Sequence, residues 1–327
     1  MLPLADIGSF LHGAGQFFQN LADLRWGWLL AGLACFHVYI ALRTRAYFNA
    51  LRAAYPAEPF PWRRIWGAYV TAYGVNHVIP FRGGEAMKVF LTKTSVPRSS
   101  YPAITSSFLC EHVFDALLAV ITLGFAFTQG VFPKPPDFSK LGAFDLSYLA
   151  AHPRFTLFLL TAIGVLALVG FALLSARVRA FWARVKQGFT ILTDRRRWLR
   201  EMAAVQGLGA LFRLAAYWSL LEAFHVGGSV RGVLLVQATN TIATALPLTP
   251  GGAGVQQAIL LKVFAAKAPA ATVAAYSVGQ EVAIAASSLL IAFGALALVF
   301  RFRSFREVMR RGREEHAADR AAARGAA

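Results

Sequence analysis

Cysteine is nearly absent: the 327 residues include two, Cys35 and Cys110, each inside an apolar run. That excludes a disulfide framework and a thiolate metal site, which need several cysteines at short spacing. Charge is scarce as well, with Asp, Glu, Lys and Arg making up 15% of the chain against 57% hydrophobic residues. A soluble domain devotes about a quarter of its residues to charge, so an ordinary soluble enzyme is excluded. Disorder, which requires low hydrophobicity, is excluded with it. The sequence also lacks an Asp-rich pyrophosphate motif, a His-Glu-x-x-His helix, a phosphate loop and a Ser or Cys nucleophile with a partner base. Nothing specific supports enzyme chemistry, and no metal or cofactor is expected.

What the chain does have is apolar length. Long hydrophobic runs recur between residues 26 and 300, and the mean hydropathy is +0.52. This is the pattern of an all-α, polytopic membrane protein. Spans are expected at 25–43, 64–80, 101–128, 154–175, 200–224, 230–247 and 270–300. Two further segments, 84–97 and 252–267, follow Gly-Gly pairs. Both are too short to cross a core of about 30 Å as straight helices. Residues 1–24 mix Phe10, Leu11, Phe17, Phe18 and Leu21 with polar residues, which suits an amphipathic helix on the membrane surface. They lack a signal peptide's basic start and are expected to remain in the mature protein. The resulting organisation is an amphipathic segment 1–24, a membrane domain 25–300 and a basic tail 301–327.

Acidic residues are outnumbered 33 to 16 by Lys and Arg, and the excess is clustered. Arg43 to Arg64 holds five basic residues, Arg177 to Arg200 eight and Arg301 to Arg324 eight. They lie beyond apolar runs and not on a polar domain with base-reading residues, so no nucleic-acid partner is expected. The positive-inside rule puts all three patches in the cytoplasm. Anionic lipid would add about 1 kcal/mol per basic residue near the surface. Parity then makes the first span run inward and 128–153 external, with 84–97 returning the chain to the inside and 252–267 taking it back out. The expected setting is the cell's inner (cytoplasmic) membrane, with basic loops and C-terminus cytoplasmic.

Two stretches resemble each other. Ile79-Pro80-Phe81-Arg82-Gly83-Gly84 precedes a short helix and then a long span carrying Glu111; Leu246-Pro247-Leu248-Thr249-Pro250-Gly251-Gly252 precedes a short helix and a long span carrying Glu281. The spacing from the second glycine to the glutamate is 27 residues in one and 29 in the other. The copies start on opposite sides, as in an inverted repeat with short, Gly/Pro-interrupted segments at a transport site. Chance recurrence of Pro and Gly is the other reading.

The first stretch combines a helix stop at Pro80, a turn at Gly83 and Gly84, and a new helix near Glu85, with Lys88 one turn on. Free N–H groups at that helix start beside Arg82 would suit an anion; alternatively Arg82 pairs with Glu85 and pins the turn. In the second stretch Pro250, Gly251, Gly252 and Gly254 permit close backbone approach, to a ligand or to another helix. Glu111 and Asp115 are four apart on one helical face of an apolar run. Intramembrane carboxylates face a cavity or a cation, and Arg82, Lys88 and Arg213 are the candidate partners, in a transport site or a structural ion pair. Among the remaining charges, Glu281 is favoured over Glu222, Arg231 and Lys262.

These motifs resemble the lysylphosphatidylglycerol synthase transmembrane-region, or flippase-like, family. The matching blocks are Asn76 to Glu85 (Asn-x-x-x-Pro-x-Arg-x-Gly-Glu), Glu111-x-x-x-Asp115 and Pro247-Leu-Thr-Pro-Gly-Gly-Ala-Gly254, with the basic linker Arg43 to Arg64. Family members often have Glu where this chain has Gln257, and many have a further N-terminal span that residues 1–24 are too polar to supply. The resemblance implies a protein that moves or handles anionic or polyisoprenoid-linked lipids, without the soluble aminoacyltransferase domain of two-domain relatives. It also implies a homodimer or a pathway-enzyme partner. The expected function is a lipid translocase. Arg82 and the helix starts after Gly84 and Gly252 would hold the headgroup, while Glu111 and Asp115 orient Arg82 or exchange with the phosphate. The alternatives are a non-transporting scaffold for a glycolipid, hopanoid or cell-envelope pathway, and an intramembrane transferase using Glu111 and Asp115 as acid and base.

Overall fold

Between Gly32 and Pro56 the sequence contains neither glycine nor proline, and nothing interrupts the helix that begins at Trp26. In the computed structural model this helix, α1, runs Trp26–Ala54 over 29 residues, about 43 Å at the α-helical rise. It therefore passes well beyond the expected end at residue 43 and carries Arg43 and Arg45 inside it. The structure describes residues 23–78, 83–129, 181–245 and 255–300. The segments 1–22, 130–180 and 301–327 lie outside that set, and with them nearly all of the amphipathic segment, the span 154–175 and the basic tail.

After α1 come α2 (Trp62–Asn76), α3 (Gly83–Ser95) and α4 (Tyr101–Thr128). Residues 181–203 form helical turns that end in a π-helical turn, Leu199–Ala203. That turn leaves the Glu201 carbonyl to accept from Asn49 Nδ2 at 2.7 Å, so the wider turn is tied to α1. Then follow α5 (Ala204–Ala223), α6 (Val230–Ala245), α7 (Val255–Phe264) and α8 (Ala270–Leu298). No strand occurs among the described residues.

By length and composition α1, α4 and α8 can each cross a membrane. Their outer faces are apolar: Val113, Leu117, Val120 and Ile121 on α4 and Val282, Leu290 and Phe293 on α8 are exposed. In water such surfaces would be a liability; in a bilayer they meet lipid. The interior holds the opposite mixture, with Phe36, Tyr47 and Tyr276 buried beside Thr71, Lys88, Glu111 and Gln280. The chain is an integral, multi-pass, all-α membrane protein.

Contacts fix the helix directions. α1 and α5 are antiparallel: Gly32 meets Leu220 and Ala216, Gly209 meets Tyr39 and Leu42, and Asn49 meets Glu201. α2 and α8 are antiparallel as well, with Gly67 against Val299 and Phe300, and Gly74 against Ala292 and Ser288. A Cβ on Gly74 would come within 2.6 Å of Ala292 Cβ and 2.8 Å of the Ser288 carbonyl, so only glycine permits this approach. The end of α1, the starts of α2 and α5 and the end of α8 therefore share one end of the molecule. Arg52 to Arg64 and Arg184 to Arg200 lie at this end, as the parity argument predicts.

The short helices do not act as thin spans. α3 packs back along α2, with Met87 and Leu91 clustering with Ala68, Val75 and Leu296. It returns to the basic end, where the Ser100 N–H donates to the Tyr55 hydroxyl at 3.1 Å. α2 and α3, of 15 and 13 residues, are about 22 and 20 Å long, so the pair is a hairpin that enters from the basic end and goes back. At the other end, Lys267 Nζ reaches the Gly227 carbonyl at 2.6 Å and Ser229 Oγ at 3.1 Å, joining the start of α6 to the end of α7. α6 and α7 thus form a hairpin of opposite sense. The expected separate crossings at 64–80 and 230–247 become arms of these hairpins, because each helix is shorter than the hydrocarbon core. One arm of each hairpin meets the middle of α8: Gly74 packs at Ser288, and Gln257 Nε2 donates to Glu281 Oε2 at 2.9 Å. Those positions are seven residues apart, about 10 Å along the axis.

Candidate functional site

The first hairpin is closed by Asn76, whose Oδ1 accepts from the Gly84 N–H at 2.8 Å. One otherwise unpaired donor of the first turn of α3 is thereby satisfied by the last residue of α2. A Cβ on Gly84 would collide with the Ala72 carbonyl and stand 2.7 Å from Asn76 Oδ1. Gly83 opens α3, Glu85 lies in its first turn, and Lys88 is buried one turn further on. Arg82 lies outside the described residues, as do Pro250, Gly251, Gly252 and Gly254, so the structure describes the arms of both breaks.

From α3, Lys88 points into the bundle. Its Nζ lies 3.1 Å from the Phe108 ring centroid, 4.4 Å from that of Tyr69 and 5.2 Å from that of Tyr47, a cage in which ring faces meet the ammonium charge. Glu111 Oε1 is 3.8 Å from it. Glu111 is fully buried, and its Oε2 accepts from Tyr69 Oη at 2.7 Å and Arg43 Nη2 at 3.2 Å.

Arg43 joins the pieces. Its Nη1 and Nη2 donate to the two oxygens of Asp115 at 2.8 and 2.6 Å, a bidentate pairing. Its Nε donates to the Tyr69 hydroxyl at 3.0 Å and its Nη1 also to the Tyr39 hydroxyl at 3.0 Å. One guanidinium from α1 thus holds both carboxylates of α4 and a hydroxyl from α2. The expectation that Glu111 and Asp115 share a helical face holds. Among their candidate partners, Lys88 reaches Glu111. Arg213 makes no ion pair with either, and its Nη1 instead donates to the Tyr39 hydroxyl at 3.4 Å. Arg43, assigned from sequence to a surface patch, is the cation that pairs with both. The signal that it is interior was the run without glycine or proline that carries α1 on to Ala54.

From Arg213 the polar groups continue toward the second hairpin. Tyr217, one turn along α5, accepts from Asn240 Nδ2 of α6 at 2.8 Å. Glu281, set apart from this cluster, accepts from Gln257 Nε2, a neutral donor. Glu222 is occupied at the far end by the Gly228 N–H at 2.7 Å and Arg25 at 3.5 Å. The arrangement is a buried, hydrogen-bonded charge cluster near the middle of α1, α4 and α5. It can hold or exchange an ion at a depth where lipid offers none.

Residues 7–292 match the family model described as the lysylphosphatidylglycerol synthase TM region. A relative in Haloferax volcanii, named glycosyltransferase AglD, is 27% identical over 252 residues. That match takes in 64% of this chain and 39% of the relative, so the chain spans well under half of that protein's length.

Proposed function

This chain belongs to the lysylphosphatidylglycerol synthase TM region family, and from that premise we propose that it moves a lipid between leaflets. The lipid is an anionic phospholipid or a polyisoprenoid-linked one, whose headgroup passes between the two hairpins while its tails stay in the bilayer. The carrying observation is the buried cluster of Arg43, Glu111, Asp115 and Lys88, set beside hairpins that enter from opposite ends. Charges in the membrane interior are costly and are kept where an ion or headgroup must pass. Arg82, the start of α3 and the second glycine break receive the headgroup. Glu111 and Asp115 give Arg43 and Lys88 a counter-charge between passages. With no nucleotide motif in the sequence, movement is passive or follows a gradient. The basic end faces the cytoplasm of the inner membrane.

Both carboxylates accept from Arg43, which supports a counter-ion role over acid–base catalysis. A second reading draws on the glycosyltransferase relative: a membrane scaffold serving a glycolipid enzyme without moving lipid itself.

The test is leaflet accessibility in proteoliposomes. Fluorescent phosphatidylglycerol and a neutral fluorescent lipid are quenched from outside, with wild type compared against Arg82→Ala and Asp115→Asn. The proposal expects the protected half of the anionic lipid to disappear with wild type and to persist with either variant. Folded wild type that leaves every lipid protected, and that copurifies with a transferase, favours the scaffold.

A further inference from the structure

Three cations and two carboxylates lie in this polar core, and they are not equally engaged. Every nitrogen of Arg43 has an acceptor among Asp115, Glu111, Tyr69 and Tyr39. Lys88 has its aromatic cage and Glu111. Arg213 has one long hydrogen bond, Nη1 to the Tyr39 hydroxyl at 3.4 Å, with its guanidinium carbon 5.4 Å from that ring's centroid. Its Nε is buried without a hydrogen-bond partner, and among the described residues no carboxylate lies within 4 Å of it. A guanidinium carries five N–H donors and no acceptor.

Its neighbours have protons to give. The Tyr39 hydroxyl oxygen receives donors from Arg43 and Arg213, and the Tyr217 oxygen receives one from Asn240. Neither hydroxyl proton has an acceptor among the described residues. One guanidinium without a close carboxylate beside two hydroxyl donors suits an anion with several acceptor oxygens.

We propose that Arg213, with the hydroxyls of Tyr39 and Tyr217, binds a phosphate group at mid-depth. Arg43 is paired with Glu111 and Asp115, and Arg213 is the cation of this core without a carboxylate within 4 Å among the described residues. Further along α5, Leu214 and Trp218 line an apolar cavity of about 390 Å³ with Trp28 of α1 and Val233 of α6; its lining suits an acyl tail. The assignment to a lipid rests on the reading above, whereas anion binding at Arg213 does not.

The experiment is a binding titration on the purified full chain in detergent, followed by tryptophan fluorescence. The probes are dioctanoyl phosphatidylglycerol, inorganic phosphate and dioctanoylglycerol, on wild type, Arg213→Lys, Arg213→Gln and Tyr217→Phe. Wild type is expected to bind the phospholipid, with Kd raised at least tenfold by Arg213→Gln, less by Arg213→Lys and several-fold by Tyr217→Phe. Weak dioctanoylglycerol binding should be the same in all four. Equal, Arg213-dependent binding of inorganic phosphate supports the site and makes its ligand a free anion. The proposal is overturned if wild type binds neither phosphate-bearing probe, or if Arg213→Gln, with a wild-type melting profile, binds them unchanged. Arg213-dependent binding without lipid movement in proteoliposomes removes the translocase reading and leaves this site. Movement and binding that both survive Arg213→Gln keep the translocase reading and remove this site.

Discussion

A guanidinium in the middle of a 29-residue membrane helix persists only where its charge is met, and Arg43 is met by two carboxylates and two hydroxyls. Removing one partner of a buried ion pair costs about 3–5 kcal/mol, because the opposite charge is left in low dielectric. Arg43→Gln leaves Glu111, whose side chain is 0% exposed, with the Tyr69 hydroxyl as a donor and, among the described residues, Lys88 as its cation at 3.8 Å. We expect it to lose most of the chain's resistance to thermal unfolding in detergent. Asp115→Asn should cost less, since that side chain is 29% exposed. Neutralising all three together, as Arg43→Gln, Glu111→Gln and Asp115→Asn, should recover stability but not lipid handling. A stable single Arg43→Gln would remove the structural role assigned here. The carboxylate pair was readable from its four-residue spacing in an apolar run. Arg43 was not, because a cation near a helix end and one in its interior look alike in composition. Tyr39 and Tyr69 carried no signal at all, since a tyrosine in an apolar span reads equally well as packing.

At the scale of the hairpin, two small residues do the closing. Asn76 satisfies the Gly84 N–H, and Gly84 lets α3 lie against the Ala72 carbonyl. Adding a single methyl here meets the Ala72 carbonyl, which is helix backbone, and the Asn76 amide, which can move aside only by giving up its bond to the Gly84 N–H. Gly84→Ala is therefore expected to cost about 3 kcal/mol, the upper part of the overpacking range. Asn76→Ala should cost about 1 kcal/mol for the lost hydrogen bond. Thermal melts of the two single variants and the double check this. The double should be no worse than Gly84→Ala alone if the methyl already displaces Asn76, and additive melting shifts would show that the contacts are independent. The break itself was legible in Pro80, Gly83 and Gly84. That α2 turns back short of the far side was not, because residues 64–80 are, at 17 residues, just long enough to be read as a short span. What ties α3 back against α2 is the Asn76 side chain on the Gly84 N–H and the approach of Gly84 to the Ala72 carbonyl, contacts that periodicity does not encode.

For the whole molecule, the basic patches foretold which helix ends share a side, and the antiparallel pairings of α1 with α5 and α2 with α8 agree. They do so because the positive-inside rule acts on chain segments next to spans and needs no tertiary information. It also assigns the basic end to the cytoplasm, which cysteine labelling can check. Only Cys35 and Cys110 need replacing to obtain a cysteine-free chain. Single cysteines then go at Ala57, after α1; at Arg98, after α3; and at Ala266, between α7 and α8, all exposed positions. In intact cells an impermeant maleimide is expected to label Ala266→Cys and spare Ala57→Cys and Arg98→Cys, with all three labelled once the membrane is permeabilised. Because α3 returns to the end where α2 began, Ala57→Cys and Arg98→Cys must behave alike in either orientation of the protein. A difference between them would break the first hairpin. Labelling of those two with protection of Ala266→Cys would keep both hairpins and reverse the protein in the membrane, so that a headgroup meeting Arg82 would arrive from the outer leaflet.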